Sequence, residues 1–438
     1  MTFAPLSRRL ALLATLTYSL WLASCGSSGG SGGGQANIRG LNLTSDLASI
    51  DVFLGTTKQF SALNTGALAS YGAVEAASYT VNVNSAGNSS TLFTGSYSLA
   101  KDGHYTAVVW GTQSSLRVST LPEDEDASTI GAGNTKVRMF NATTETGAVD
   151  VYFTTTTADL GASTPTQGSL PAGTLAGFKE IPAGTYRLRI TGVGKPDDLR
   201  LDIPAVTLTA AKYSTLVVTA GAGGVLVNGT LVEQQASATA LANNNSRVRV
   251  IASVDTAGVV AATAGNTTLA GGLLSPAFGN YTLVSSGTSV ATTVRINGNI
   301  VVSGPLNFAA GADYTLLVYG TAAAGKMTVI SDDNRLPLST TRTKIRVING
   351  VGSLDALSLL VDNGQVTTSS SVLPGSASPY SQIASNTGAQ VEVDSPTLGP
   401  VYLTTRTNGD ALLGQGVYTV LVMGGKATPT GRLLNERP

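Results

Sequence analysis

Hydrophobic and polar residues alternate in short blocks along most of this chain. Segments of five to seven residues rich in Val, Ile, Thr and Tyr are bounded by Gly, Asn, Pro and Ser, a pattern typical of β-strands. Four segments alternate strictly and are predicted to have one buried and one solvated face: Tyr79–Val83, Tyr186–Ile190, Tyr281–Val284 and Val391–Val393. No ten-residue stretch has a convincing helical period, so the pattern predicts an all-β protein.

The same series of anchor residues occurs four times. Each copy opens with an aliphatic residue followed by arginine, at residues 38–42, 137–141, 248–252 and 345–349. Twelve positions after the first anchor stands another aliphatic residue: Ile50, Val149, Val260 and Leu357. Each copy then closes on a tyrosine and an apolar run, 66 to 76 residues after the first anchor, at Tyr105, Tyr213, Tyr314 and Tyr418. Insertions therefore fall in the middle of each copy, where loops absorb them.

The closing runs are apolar at consecutive positions, which predicts central strands that are buried on both faces. Each copy has about 100 residues, close to the size of an immunoglobulin-type sandwich. A small residue stands two positions before each closing tyrosine, as Gly103 does before Tyr105. This spacing is similar to a tyrosine corner, in which the phenol binds a backbone group of the preceding turn. The alternative is that each tyrosine is simply a strand-forming aromatic residue.

Several short motifs resemble one bacterial family. They are the R-V-x-N opening, the second strand Val149–Tyr152, the turn Pro182–Tyr186 and the Tyr-Thr-Val-Leu-Val closing strand. Together they resemble the domain of unknown function 4397, over nearly all of residues 36–438 and most strongly in copies two and four. The resemblance implies an extracytoplasmic β-sandwich, often in tandem and often on a lipoprotein, with no established reaction.

The predicted fold is therefore a tandem array of antiparallel, immunoglobulin-like β-sandwich domains after a cleaved lipoprotein signal peptide. The expected organisation is a signal peptide at 1–24, a lipidated cysteine with a Gly/Ser tether at 25–35, and β-sandwich repeats at 36–128, 134–240, 246–338 and 342–438.

The first residues predict export and lipid attachment. Arg8 and Arg9 precede the thirteen-residue apolar run 10–22, which is shorter than the roughly 20 residues of a membrane-spanning helix. Residues 22–25, Leu-Ala-Ser-Cys, resemble a bacterial lipobox, which implies diacylation of Cys25 and cleavage before it. The following Gly/Ser tract is typical of a flexible tether. We therefore expect a protein anchored by lipid in the outer membrane of the cell envelope, on its periplasmic side or at the cell surface.

Charge and composition narrow the function. Removal of residues 1–24 leaves 24 basic and 26 acidic side chains, so no strong field directs the chain to nucleic acid. Charged residues make up 12%, about half the share typical of globular proteins. Cys25 is the only cysteine, so the domains are expected to be stabilised by core burial without disulfides.

Candidate chemistry is sparse. His104 is the only histidine, and we interpret it as an exposed residue beside a strand start rather than a catalytic base. One histidine and a lipidated cysteine cannot supply a zinc ligand set. No catalytic residue, metal site or cofactor is predicted.

Two sets of charged residues leave alternatives open. The acidic segments 123–126 and 332–334 between copies are interpreted as solvated linkers, with calcium binding as the alternative. The four opening arginines are interpreted as structural, with their stems on the sheet and their guanidinium groups in water. They are Arg39, Arg138, Arg249 and Arg346.

These observations predict a lipid-anchored envelope protein with a structural, adhesive or binding role and no catalysis. A glycan or another protein is the expected partner, in addition to the membrane. One alternative is a periplasmic factor that captures partners by strand addition at a sheet edge. The other is a hydrolase with an unrecognised carboxylate site.

Overall fold

The computed structural model of this chain describes residues 34–437. The predicted signal peptide, Cys25 and nearly all of the tether lie outside the described residues. Within them no α-helix occurs, and the helical elements are four short 3-10 turns: Gln113–Ser115, Ala127–Thr129, Thr367–Ser369 and Arg406–Asn408. No helix in the described part of the chain is long and apolar enough to span a bilayer. The prediction of an all-β protein is confirmed.

The strands fall into four consecutive groups, which we call repeats 1 to 4. Repeat 1 contains β1 Gln35–Thr44, β2 Ser49–Leu54, β3 Thr57–Asn64, β4 Gly72–Glu75, β5 Ser78–Ser85, β6 Thr91–Ser98, β7 His104–Gly111 and β8 Arg117–Pro122. Repeat 2 contains β9 Asn134–Asn141, β10 Val149–Thr154, β11 Gln167–Leu170, β12 Lys179–Pro182, β13 Gly184–Gly192, β14 Lys195–Leu208, β15 Tyr213–Ala220, β16 Val227–Glu233 and β17 Ala238–Leu241.

The second half of the chain has the same organisation. Repeat 3 contains β18 Asn245–Val254, β19 Val259–Ala264, β20 Thr267–Leu274, β21 Ala277–Phe278, β22 Thr282–Ser285, β23 Gly287–Ile296, β24 Asn299–Phe308, β25 Asp313–Gly320 and β26 Gly325–Asp332. Repeat 4 contains β27 Arg342–Asn349, β28 Ser358–Val361, β29 Gly364–Gln365, β30 Ser376–Ala377, β31 Ser381–Ala384, β32 Asn386–Ala389, β33 Val391–Ser395, β34 Gly399–Leu403, β35 Asp410–Leu412, β36 Val417–Met423 and β37 Thr430–Asn435.

Each repeat is a sandwich of two sheets, and repeat 4 has an additional two-stranded sheet, β32-β35. One sheet, which we call the joining sheet, contains the opening strand and the closing strand side by side, in the order β4-β1-β7-β8 in repeat 1. The other, which we call the outer sheet, has the order β3-β2-β5-β6 in repeat 1, and repeats 2 to 4 follow the same scheme. The outer sheets are β11-β10-β13-β14, β20-β19-β23-β24 and β29-β28-β33-β34.

The opening and closing strands of each repeat pair in parallel, whereas the other strand pairs are antiparallel. Parallel neighbours need a long crossover between them. The outer sheet supplies that crossover, so no helix is required. The sandwiches are therefore antiparallel except for one central parallel pair, which the sequence reading did not anticipate.

Each repeat has its own apolar core between its two sheets. The predicted anchors Ile50, Val149, Val260 and Leu357 are all completely buried in these cores. Burial of one such side chain contributes about 1.5–3 kcal/mol to folding. The constant twelve-residue spacing thus reflects one short connection that carries the chain from the joining sheet to the outer sheet.

The outward faces of the joining sheets are also buried, because repeats pack in pairs. Repeats 1 and 2 form the first pair, and Trp110 meets Phe140 edge to face across it, with ring centroids 5.7 Å apart. Repeats 3 and 4 form the second pair through a cluster of Ile251, Leu317, Ile330, Ile348, Leu421 and Met423. Equivalent strand positions of the two repeats contribute side chains to each interface, as expected for a two-fold interface. This explains why the closing strands are apolar on both faces.

The tyrosine corner occurs in three repeats. The hydroxyl groups of Tyr105, Tyr314 and Tyr418 accept hydrogen bonds from backbone N–H groups five residues upstream, at 3.0, 3.1 and 3.0 Å. In repeat 2 the prediction was wrong. The parallel register places Ser214, not Tyr213, at the corner position, and the hydroxyl of Tyr213 binds Thr129 instead.

One alternating segment was also assigned to the wrong strand. The alternation of Tyr281–Val284 predicts the strand of repeat 3 that is equivalent to Tyr79–Val83 of repeat 1, but β22 pairs with the opening strand β18. The true equivalent is β23, which pairs with β19 and β24 in the outer sheet. Its sequence contains many Thr residues, so its apolar alternation is weaker than in the other repeats.

We predict that Tyr418→Phe lowers the free energy of unfolding by about 1–3 kcal/mol, because it leaves the Leu413 N–H and the Ala411 carbonyl without their partner. Thermal denaturation of the purified chain measures the change. Tyr79→Phe is the matched control, since its hydroxyl contacts only the carbonyl of Glu75 at an exposed site. Equal melting temperatures for both variants would contradict a stabilising role for the corner.

Candidate functional site: buried arginine joints between repeats

The opening arginine of every repeat lies on the outward face of its joining sheet. Its Nε donates to the hydroxyl of a threonine on the adjacent closing strand, at 2.8 to 3.1 Å. An aromatic ring lies against its guanidinium group, 4.4 to 4.8 Å from Cζ to the ring centroid. The aromatic residues are Tyr71, Phe178, Tyr281 and Tyr380, and the threonines are Thr106, Thr215, Thr315 and Thr419.

The expectation that these guanidinium groups lie in water was wrong. Arg39, Arg138, Arg249 and Arg346 are only 3%, 7%, 4% and 2% exposed. The physical reason is the pairing of repeats, which covers the outward faces of the joining sheets. Arginine suits such a site because its guanidinium group is weakly hydrated and stacks on aromatic faces.

Three of the four arginines bind a carboxylate from the end of a repeat. Arg39 binds Glu123 at 2.8 Å, Arg249 binds Glu436 at 2.7 Å and Arg346 binds Asp332 at 2.5 Å. In the last hairpin of a repeat, the threonine that binds the arginine pairs with a residue of the final strand, and the acid stands two residues after that paired residue. In repeat 1, Thr106 pairs with Leu121 and the acid is Glu123. Glu123, Asp332 and Asn334 are buried, so the interpretation of solvated linker residues was wrong for these three. Asp124, Glu125 and Asp126 are exposed.

The acids cross over within the second pair. Glu436 ends repeat 4 but binds Arg249 of repeat 3, while Asp332 ends repeat 3 but binds Arg346 of repeat 4. The second carboxylate oxygen of Asp332 accepts hydrogen bonds from Thr315 and Tyr281, at 2.6 and 2.8 Å. The arginine and carboxylate side chains are all buried, so one charged network links both repeats at their interface.

The first pair has an incomplete version of this network. Glu123 stays with Arg39 of its own repeat, and its carboxylate accepts from the Gln235 N–H of repeat 2 at 3.0 Å. In repeat 2 the equivalent position holds Gln234, which binds the backbone of Glu125. Arg138 therefore has no carboxylate of this kind and donates to the Pro122 carbonyl at 2.9 Å.

The electrostatics follow from these contacts. Burial opposes the charged form of Arg249, but the surrounding acidic groups, among them Glu436 and Asp332, raise its pKa well above its ordinary value. Burial likewise opposes ionisation of Asp332, but Arg346 and Arg249 outweigh it and lower the pKa of Asp332. Burial lowers the pKa of Arg138, in keeping with its missing carboxylate.

A second joint holds the two pairs together end to end. Arg437 donates to the carbonyls of Gly224 and Asn334, both at 2.9 Å, and to that of Thr146. The Gly223 N–H donates to the Gly311 carbonyl at 2.7 Å, which joins repeat 2 directly to repeat 3. The four repeats thus pack as a block of two pairs.

His104 does not have the surroundings of a catalytic base. It is the first residue of β7, its Nδ1 hydrogen-bonds with Asp124 at 2.7 Å, and its Nε2 lies 3.3 Å from the Asn37 amide. Its ring also meets Tyr71 edge to face. The side chain is about one third exposed and ties the linker to the strand start.

Calcium at the acidic segments was the alternative to solvated linkers. Glu123 and Asp332 are instead bound to arginine. Between residues 34 and 437 no group of three or more His, Cys, Asp or Glu side chains is arranged to hold a metal ion. The predicted lipidation site, Cys25, lies outside this range.

Sequence reasoning missed the partners of the arginines. The threonine was visible in the closing segments, and the aromatic residue stands directly before the strand that flanks the opening strand, as Tyr71 stands before β4. Both recur four times, although the distance from arginine to aromatic varies between copies. The crossed acids had no local signal, because they lie 187 and 14 residues from the arginines that they bind.

These features define the class of the protein: a tandem β-sandwich protein in which each repeat carries a buried arginine at the same strand position, at the interface with its paired repeat. A model of the family described as "Domain of unknown function (DUF4397)" matches residues 36–152 and 246–359, together 231 of the 438 residues, and the chain belongs to this family. The matches cover repeats 1 and 3 and run into the first two strands of repeats 2 and 4. The expectation that copies two and four would match most strongly was therefore wrong.

Curated proteins and solved structures were also compared with the chain. No curated protein matches the chain. Among solved structures it is similar to the crystal structure of CBMbc (family CBM26) from Eubacterium rectale Amy13K in complex with maltoheptaose, with 14% sequence identity and a TM-score of 0.15. The match covers 46% of this chain and 97% of that chain. At this TM-score the similarity carries no argument about a ligand.

We predict that Asp332→Asn destabilises the chain at neutral pH by about 3 kcal/mol, because it leaves Arg346 buried without its partner. The folded pKa of Asp332 lies below its unfolded value of about 3.9. Ionised Asp332 therefore contributes stability that is fully present above about pH 4 and is lost as the pH falls through the folded pKa.

Urea denaturation at several pH values measures both effects. The difference between the parent chain and Asp332→Asn should shrink as the pH falls below about 4. Asp159→Asn is the control, because the exposed Asp159 only accepts a hydrogen bond from Gly161, and its cost should stay within about 0.5 kcal/mol. A constant difference between parent and Asp332→Asn across the acid range would refute the assignment.

Proposed function

We propose that this chain is a non-catalytic lipoprotein of the cell envelope, which presents a rigid block of four sandwiches on a Gly/Ser tether for a structural or adhesive role. The observation that supports this proposal is that buried charged side chains bind one another. Buried arginine side chains bind carboxylates, within repeat 1 in the case of Arg39 with Glu123 and across the interface of repeats 3 and 4 in the case of Arg249 with Glu436.

The direction of the strands supports presentation away from the membrane. The first described residue, Gly34, immediately precedes β1, whose far end at Thr44 lies beside the joint to the second pair. The second pair continues in the same direction, since β18 starts near this joint and ends at Val254 on the opposite side. A tether joined to Gly34 would therefore leave the far end of the second pair as the most distant surface.

The lipid anchor is proposed on the motif at residues 22–25. One acyl chain gives only marginal membrane binding, so the two or more chains of a lipoprotein cysteine are consistent with stable anchoring. A glycan or protein partner, held at the surface of the sandwiches, is part of the same proposal.

We predict that Cys25→Ala blocks both lipid attachment and signal cleavage. Mass spectrometry of the amino terminus of the purified protein measures this directly. The parent should begin at an acylated Cys25, whereas the variant should retain residues 1–24. Ser24→Ala keeps the thiol and a small residue before the cleavage point, and it serves as the control. An unmodified Cys25 within an intact precursor would end the lipoprotein proposal.

Protease treatment of intact cells tests surface presentation. If the block faces outward, proteinase K should cut the Gly/Ser tether and release one large fragment, because the joints between repeats are buried. Independent domains on exposed linkers would instead give a ladder of single repeats. Full protection in intact cells, with cleavage only after the outer membrane is opened, would place the protein in the periplasm.

A further inference from the structure

Each pair of repeats has a cleft at the end where its opening and closing strands finish. The first end cleft belongs to repeats 1 and 2, has a volume of about 160 Å³, and is lined by the loops that follow β1, β7, β9 and β15. The second end cleft belongs to repeats 3 and 4, has a volume of about 590 Å³, and is lined by the loops that follow β18, β20, β27 and β36. The two clefts occupy equivalent places in the two pairs.

The first end cleft already holds an extended peptide segment. The linker between repeats 3 and 4 enters it, and the side chain of Arg335 forms part of the lining. The Asn334 N–H donates to the Gly223 carbonyl at 3.1 Å, and the Leu336 N–H donates to the Glu145 carbonyl at 2.8 Å. The chain runs so close to Gly224 that a Cβ there would lie 2.2 Å from the Cγ of Arg335.

Charge favours the arginine in this segment. Asp46 and Glu145 line the same cleft and stand at equivalent positions, eight residues after the first anchors of repeats 1 and 2. Asp333 binds Arg335 directly and raises its pKa, and Glu145 and Asp46 act in the same direction. An acidic end cleft therefore binds an extended, arginine-bearing segment in the first pair.

The second end cleft is open and also carries an acid. No segment of the described chain is docked across it in the manner of residues 334–336. Asp255 lines it, and the Oδ1 atom of Asp255 is buried yet has no hydrogen-bond partner within residues 34–437. Gly425 lies close to this carboxylate: a Cβ added at Gly425 would be 3.7 Å from Oδ1 of Asp255. Lys426 is the other charged residue in the lining.

We propose that the second end cleft docks an extended peptide segment of another protein, with an arginine or lysine that binds Asp255. The occupant follows from the first pair, where the equivalent cleft holds such a segment. This inference rests on the proposed binding role and names its partner class. The cleft also lies at the end of the block farthest from Gly34, where a partner would be met first.

A second copy of this chain is a poor occupant. Its own 334–336 segment is already docked, and the equivalent linker between repeats 1 and 2 places Glu125, Asp126 and Ala127 at the positions of Asn334, Arg335 and Leu336. An acidic linker beside Asp255 would add repulsion between like charges. The basic segment must therefore come from a different protein.

The docked linker provides a probe. An end-blocked peptide with the sequence Asn-Arg-Leu-Pro-Leu-Ser, residues 334–339, is labelled with a fluorophore and titrated onto the purified lipidated protein in detergent. We expect saturable binding in the millimolar range or tighter. The first end cleft does not compete, because its own linker is covalently attached and its effective concentration is high. The same peptide with alanine in place of arginine is the control ligand.

Asp255→Asn should weaken binding by about tenfold, as expected for loss of one charged hydrogen bond. Asp46→Asn, which removes an acid from the occupied cleft instead, should leave the affinity unchanged. A photo-crosslinking version of the peptide should attach to residues 254–257 or 424–428. Absence of saturable binding, equal binding of the alanine peptide, an unaffected Asp255→Asn variant, or crosslinks elsewhere would each overturn the inference. None of these results depends on lipid attachment, so failure would remove the partner class and leave the anchoring proposal to its own tests.

Discussion

The arrangement of the repeats depends on burial of a guanidinium group on the outward face of each joining sheet. A charged group in that place is costly unless it is paired and hydrogen-bonded. The threonine and the aromatic ring that accompany each arginine belong to the same repeat, so they orient the side chain before any neighbour arrives. In the second pair the carboxylate comes from the neighbouring repeat, which makes pairing of the repeats the event that completes the site.

Such a network favours one geometry more than it adds stability. Replacement of buried ion pairs by apolar residues is often neutral or stabilising, whereas removal of one member is costly. The apolar clusters between the repeats supply the attraction, and the arginine network excludes registers in which a charge would be buried without a partner. In the second pair, two arginines each require an acid from the neighbouring repeat, Asp332 or Glu436, so two ion pairs restrict the register. The first pair imposes it less strictly, because Gln234 replaces one acid.

The fold was largely readable from the sequence because its signals are local. The twelve-residue spacing of Ile38 and Ile50 and the strand composition identify the repeats and their sandwiches without any knowledge of distant contacts. The same reading failed where the deciding contact is distant. A strand that is apolar on both faces indicates that something covers its second face, but the pattern of β7 alone does not distinguish a second repeat from a second sheet. The solvated interpretation of Arg39 failed for the same reason, since the residues that bury it lie in repeat 2.

The error of alignment at Tyr213 also has a physical origin. Tyr213 was matched to the other closing tyrosines because a tyrosine was present, yet register in a parallel pair is set by the alternation of both faces, which places Ser214 at the corner. A slip of one residue moves every side chain to the opposite face. Thr215 therefore keeps its contact with Arg138 even though the tyrosine has moved. The contact between arginine and threonine, rather than the tyrosine, is the feature that all four repeats share, and it marks the opening and closing strands of a repeat more reliably than the aromatic residue does.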